Sequence, residues 1–120
     1  MRLVILETPF AGDVARNIRY ARACVRDCLL RGEAPFASHL IYTQPGVLND
    51  DDRDDRALGM TAGFAWAVAA EATVVYDDLG VSAGMTAGIE RAIRAGRKVE
   101  WRHLLSNWEE APVYPTRWEG

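Results

Sequence analysis

Long apolar runs are missing from this chain. No stretch approaches the roughly 20 residues that a helix needs to cross a bilayer, so no membrane partner is expected. The opening Met1-Arg2-Leu3-Val4-Ile5-Leu6 meets Glu7 and Pro9 too soon for a secretory leader, and a cytoplasmic protein is expected. Cysteine is scarce. Cys24 and Cys28 are the two present, four apart on an expected helix, too few and too local for a disulfide framework. They read as partly buried thiols in a reducing compartment. The two histidines, His39 and His103, are far apart and have no ordered cysteine spacing, which argues against zinc. No metal or cofactor is expected. Basic charge is not clustered either. Lys and Arg number 14 against 17 Asp and Glu, for a net charge of −3, and their scatter argues against a nucleic-acid polymer as partner. A single nucleotide is not excluded, because one phosphate needs only a few donors.

Other absences narrow the chemistry. The aspartate-rich segment Asn49-Asp50-Asp51-Asp52-Arg53-Asp54-Asp55-Arg56 lacks the glycine and terminal glutamate of a calcium loop. It reads as a solvated loop whose acids cap the next helix. No Walker A lysine is in place, no GxGxxG follows the first strand, and no nucleophile–base–acid triad can be assembled. The chain has no internal repeat, low-complexity segment or second domain, and 120 residues fit one domain.

What is present is an alternation of strand and helix. Leu3 to Leu6 is a continuous apolar run, the pattern of a central strand covered on both faces. Asp13 is placed to cap a helix from about Val14 to Arg31, with Val14, Ile18, Ala21, Val25 and Leu29 as its apolar stripe and Gly32 as its stop. Pro35 to Tyr42 reads as a second strand with Ser38 and His39 in its middle. Ala57 to about Ala70 is a small-residue apolar helix that packs on the sheet or on another subunit. Thr73 to Tyr76 is a third strand. Gly84 to Ala95 is a helix with Met85, Ile89, Ala92 and Ile93 inward, closed by Gly96. Lys98 to Trp101 is a short edge strand. This order predicts an α/β domain over about residues 1–102: an open parallel sheet of four to five strands with helices on both faces, Rossmann- or flavodoxin-like. Residues 103–120 read as a tail that packs on the domain or on a partner subunit.

The segment from Val74 to Gly88 holds the most chemistry. A β-branched run stops at Asp77 and Asp78, a glycine-punctuated turn carries Ser82, and an amphipathic helix begins. Ligands of open parallel sheets bind outside the carboxyl ends of the strands, and a helix N-terminus offers free N–H groups to an anion. Ser82 and the N–H groups of Ala83, Gly84 and Met85 can cradle a phosphate, or Ser82 is a plain helix cap. Asp77 or Asp78 can accept from sugar hydroxyls, or Asp78 caps the turn while Asp77 faces water. Glu7, just past the first strand, is a general acid or hydroxyl acceptor, or else a solvated loop acid. His39 is a sheet-face histidine or a catalytic group.

Two blocks together resemble the nucleoside 2-deoxyribosyltransferase-like superfamily, over about residues 2 to 101. The first is Leu3-Val4-Ile5-Leu6-Glu7-Thr8-Pro9-Phe10, similar to that family's first strand and its Pro/aromatic loop. The second is Asp77-Asp78-Leu79-Gly80-Val81-Ser82-Ala83-Gly84-Met85-Thr86-Ala87-Gly88-Ile89-Glu90 with the later Ala95-Gly96-Arg97-Lys98-Val99. The superfamily includes nucleoside deoxyribosyltransferases, deoxynucleoside monophosphate N-glycosidases and small bacterial and phage domains. The resemblance implies a nucleoside or nucleotide ligand, an acid at Asp77 or Asp78 and a phosphate-binding serine at Ser82; Phe10 and His39 are further candidates to contact that ligand. It also implies a glutamate after the Gly-Met pair that acts on the anomeric carbon. Here that position is Thr86, which cannot serve as a carboxylate. Glu90, one turn on and about 6 Å deeper along the axis, and Glu7 are the remaining candidates.

Three functions fit this reading. One is an enzyme of the N-glycosidic bond, a deoxyribosyltransferase or N-glycosidase. Another is a non-catalytic nucleotide-binding or sequestering domain, which Thr86 favours. The last is an oligomerisation module. A homo-oligomer is expected in each case, because the Ala57 to Ala70 helix offers more small apolar surface than one sheet face needs.

Overall fold

The computed structural model describes residues 1–104 and 107–110. Four strands form one sheet: β1 (Arg2–Glu7), β2 (Glu33–Phe36), β3 (Ala72–Tyr76) and β4 (Lys98–Arg102). The order is β2-β1-β3-β4 and every pairing is parallel. This is the expected open α/β sheet, Rossmann/flavodoxin-like in arrangement, with four strands and with β4 at an edge. Connections leave β1 and β3 toward opposite edges, so the carboxyl ends of these two central strands are the switch point at which such sheets bind ligands.

The helices are α1 (Val14–Leu30), α2 (Ser38–Ile41), α3 (Arg53–Ala67) and α4 (Ala83–Arg94), followed by a 3-10 turn over Trp108–Glu110. Asp13 accepts from the Arg16 N–H at the start of α1, and Gly32 (φ 81) follows its end in the left-handed conformation that glycine adopts without strain. Gly96 (φ 70) closes α4 in the same way. Asp52 accepts from the N–H groups of Asp54 and Asp55, so α3 starts four residues before the expected Ala57 and takes in part of the charged segment. It stops at Ala67 rather than Ala70. Among the described residues, no helix is long and apolar enough to cross a membrane.

The expected second strand is shorter than its apolar run suggested. β2 ends at Phe36, and His39 lies on the short helix α2 rather than within the sheet.

Side-chain alternation along the central strands sorts the molecule into two faces. Val4, Leu6, Ala72, Val74 and Tyr76 point to α1 and form the core with Tyr20, Cys24 and Cys28. Ile5, Glu7 and Thr73 point the other way, toward α3 and α4. The buried side of α1 is Asn17, Tyr20, Ala21, Cys24 and Cys28. Val14 and Leu29 of the expected stripe are exposed. Both thiols are wholly buried rather than partly, and burial raises the pKa of each. In α4, Met85 and Ala92 are buried, whereas Ile93, about 100° round the axis from Ala92, is exposed.

The polar choice of residues on α1 has a cause. Arg102 of β4 pairs with Glu33 of β2 through two N–H···O bonds of 2.7 Å, and Arg2 of β1 pairs with Glu33 as well. The Tyr76 hydroxyl donates to Asp27 of α1 at 2.6 Å and receives a bond from Arg102 at 3.3 Å. Arg2 also holds Glu100 at 2.7 Å. This network ties both edge strands to β1 and α1. Two-pronged arginine–carboxylate pairs are among the stronger hydrogen bonds, and they offset the cost of burying charge. The Arg102 guanidinium, with that of Arg2, holds the Glu33 carboxyl down at about 2.

Glu33→Gln should therefore cost roughly 3–5 kcal/mol, because it leaves a buried cation short of its partner; urea denaturation at pH 7 checks this. Since folding lowers the Glu33 pKa, the wild type should lose this stabilisation as pH falls from about 4.5 toward 2. The variant should lose less over the same range.

Candidate functional site

Two adjoining hollows lie at the carboxyl end of β1. The inner one, about 130 Å³, is roofed by α3 and α4 and floored by Ile5, Glu7 and Thr73. Its walls are aromatic: Phe10, Phe36, His39, Tyr42 and Phe64. The outer one, about 760 Å³ and more open, runs between the start of α1 and the Thr43–Asp51 loop. Phe10, Ala11, Thr43, Leu48, Asp50 and Asp55 line both, so the hollows are continuous.

Glu7 is the chemical centre of the inner hollow. As the last residue of β1 it follows the alternation of Leu3 and Ile5, so its side chain leaves the sheet on the α4 side. The carboxyl is enclosed by protein on nearly every side yet still reached from the hollow, and the residue is half-buried overall. It accepts no hydrogen bond from any described residue. Burial pushes its pKa up to about 8, against the opposing attraction of the Arg97 cation. At neutral pH it is chiefly a neutral acid, able to donate a proton.

Gly88 makes this placement possible. A Cβ at position 88 would lie 2.3 to 2.6 Å from the three carboxyl atoms of Glu7, a distance that no packed side chain occupies. Gly84, one turn earlier, and Arg91 continue the same α4 face into the hollow. Glycines at i and i+4 (84 and 88) opposite an acid that ends an apolar strand were a sequence signal for this contact.

The other walls are held in place by specific pairs. Phe10 and His39 stack with centroids 4.8 Å apart. Burial lowers the His39 pKa and so favours neutral imidazole, and its Nδ1 has no partner among the described residues. The Trp66 indole donates to the Tyr42 hydroxyl at 2.9 Å and stacks on Phe36, which fixes the end of α3. Arg97 donates to the Thr73 hydroxyl at 3.0 Å and to the Ala67 carbonyl at 2.9 Å. The Arg91 guanidinium lies 3.6 Å from the Phe64 ring centroid. Thus Arg91 and Arg97 serve first to hold α4 and β3 against α3.

The residues singled out from the sequence divide between hollow and exterior. Glu7, Phe10, His39 and Gly84 line the inner hollow. Asp77, Asp78, Ser82, Met85, Thr86 and Glu90 do not. Asp78 leaves the strand on the α1 side, where it accepts from the Tyr20 hydroxyl and the Leu104 N–H. Asp77 pairs with His103 Nδ1 at 2.7 Å. The Ser82 hydroxyl accepts from the Met85 N–H and caps α4, and the Met85 side chain is buried. Thr86 donates to the Ser82 carbonyl, and exposed Glu90 faces Arg94 at 3.7 Å. Thr86 and Glu90 each stand two residues from Gly88, about 200° round the axis, and so look away from the cavity. Sequence reasoning did not single out Gly88, Phe36, Tyr42, Phe64, Asp50 or Asp55 as site residues.

The described part of the tail lies on α1. Trp108 meets Tyr20 edge-on at 5.0 Å, and Glu109 pairs with Arg16 at 3.0 Å. Trp118 lies outside the described residues. Among the described residues no group of three or more His, Cys, Asp or Glu side chains is placed to hold a metal ion.

No curated protein matches this chain. Residues 2–102 match the family described as a domain of unknown function (DUF7768), and the chain belongs to that family.

Gly88→Ala should push the Glu7 carboxyl into another rotamer toward the hollow at a cost of about 0.5–1.5 kcal/mol, and Glu7→Ala in the same chain should recover most of it. Chemical denaturation of the two single variants and the double variant checks this coupling. Because folding raises the Glu7 pKa, wild-type stability should fall by a few kcal/mol as pH rises from about 4.5 to 8. Glu7→Gln should flatten that slope in thermal melts across the same range.

Proposed function

We propose that this DUF7768 protein binds a nucleoside-like small molecule in the paired hollows and cleaves or exchanges its N-glycosidic bond, with Glu7 as proton donor. The observation that carries the reading is the buried, hydrogen-bond-free Glu7 carboxyl at the switch point, inside an aromatic-lined cavity. A carboxylic acid kept neutral near pH 7 by its surroundings is suited to protonate a leaving group. Aromatic walls suit a planar heterocycle. In hydrolysis the C–N bond breaks as the base nitrogen takes the Glu7 proton. Water supplies the new C–O bond at the anomeric carbon and returns a proton to Glu7. In the exchange reaction a second base takes the place of water.

This reading moves the acting carboxyl from the helix to the strand. In the superfamily that the chain resembles, the glutamate stands at the start of the helix. Here Thr86 and Glu90 face away, and the gap over Gly88 is filled by an acid from β1. A binding-only role is the second reading. It is favoured by the threonine at position 86, which leaves the helix without the superfamily's carboxylate.

Base release from deoxynucleosides and their monophosphates is the test. Glu7→Gln should lower the rate roughly 100-fold or more, while Glu90→Gln should leave it within about twofold. Ligand binding by calorimetry without any base release would select the binding role. Silence in both assays would overturn the reading.

A further inference from the structure

The two hollows differ in the charge they can accept. The inner one, at about 130 Å³, is close to the roughly 150 Å³ of an engineered protein cavity that holds one benzene. It admits a single ring and no attached group of size. Any ligand larger than one ring must therefore extend into the outer hollow of about 760 Å³. Its path passes Thr43, Asp50 and Asp55, which line both.

The two hollows differ in the charge that lines them: Arg56, Arg91 and Arg97 line the inner one, whereas the described lining of the outer one carries acids alone. Asp50, Asp51 and Asp55 line the outer hollow, and among the described residues no Lys, Arg or His does. The remaining lining comes from the start of α1 (Val14, Ile18), the Phe10–Gly12 loop and the Thr43–Asn49 segment, all without a cation. Asp55 is partly committed, since it accepts from the Asn49 N–H at 2.9 Å. Asp50 makes no hydrogen bond to a described residue; its charge acts on His39 against burial and against Arg56, which together leave the His39 pKa lowered. None of the three arginines of the inner hollow lines the outer one. Arg56 reaches toward α4, where its Nη2 stands 4.0 Å from the place a Cβ of Gly84 would take. Arg97 is bonded to Thr73 and Ala67, and Arg91 lies on Phe64.

We infer that Asp50 and Asp55 form a selectivity gate: the group a ligand carries out of the inner ring pocket is a hydroxyl-rich or amine-bearing one, and a phosphate is rejected there. This rests on the reading of the paired hollows as the ligand site, and it names which members of that ligand class enter. Two carboxylates a few ångströms from a phosphate repel it, whereas the same pair accepts N–H and O–H donors and attracts an ammonium group.

Two probe sets separate this claim from the nucleoside reading. The first is benzylamine and phenyl phosphate, each one ring with a charged tail. The second is a deoxynucleoside, its 5′-monophosphate and its 5′-amino-5′-deoxy analogue. Dissociation constants are read by NMR titration or calorimetry on wild type, Asp50→Asn and Asp50→Lys. The gate predicts benzylamine at least tenfold tighter than phenyl phosphate, and the 5′-amine tightest and the monophosphate weakest of the second set. Asp50→Asn should narrow the gap and Asp50→Lys should reverse it. Phenyl phosphate binding as tightly as benzylamine, neither probe binding, or a ratio indifferent to Asp50→Lys, overturns the gate. Amine selectivity in the first set with silence in the second supports the gate and overturns the nucleoside reading. Nucleoside binding that prefers the monophosphate does the reverse.

Discussion

A carboxyl over a glycine sets the geometry of this molecule's working face. The Glu7 side chain fills the space that any residue but glycine would occupy at position 88. The bare Gly88 backbone lets the carboxyl lie against α4, largely shielded from bulk water, on the wall of the hollow. Burying an acid without a hydrogen-bond partner is unfavourable, and the group answers by holding its proton. An unfavourable burial of this kind persists only where other contacts secure the fold.

The securing is done on the opposite face of the sheet. There Arg102, Glu33, Arg2 and Tyr76 join both edge strands to the centre, beside a core of Tyr20, Cys24 and Cys28. The α3 side is built differently. Ala67 is the one residue of α3 that is buried, and the helix is held by ring contacts and by Arg97 rather than by a packed apolar seam. One face of the sheet gives stability and the other gives space. The ion network and the aromatic hollow are therefore complementary parts of one design: a rigid half that lets the other half keep a cavity.

Much of the fold was legible in the sequence. Apolar runs marked β1 and β3, glycines marked the ends of α1 and α4, and the polar pattern of Lys98 to Trp101 marked an edge strand. Local pattern failed where long-range pairing decided. The stripe through Val14 and Leu29 looked like the inner side of α1, yet Tyr20, Cys24 and Cys28 face the sheet, and the Asp27 carboxylate beside them accepts from Tyr76 across the interface. Pro35 to Tyr42 looked like one strand because a short helix within an apolar run has no period of its own. The site was legible in part. Glu7 stood out as an acid ending an apolar strand, and the carboxyl end of the sheet was the right end. Asp78 and Ser82 share that end, but alternation sends Asp78 to the α1 face and the Ser82 hydroxyl is used within its own helix turn. The contribution of Gly88 depends on what lies across from it, which no single stretch of sequence states.

The central claim is that Glu7 is a buried acid that keeps its proton at neutral pH. A pH titration of the Glu7 side-chain carboxyl by carbon-13 NMR, in the folded wild-type protein, tests it most directly. A midpoint near 8 is expected. A midpoint near that of an ordinary glutamate, about 4.3, would show a solvated carboxylate and contradict it.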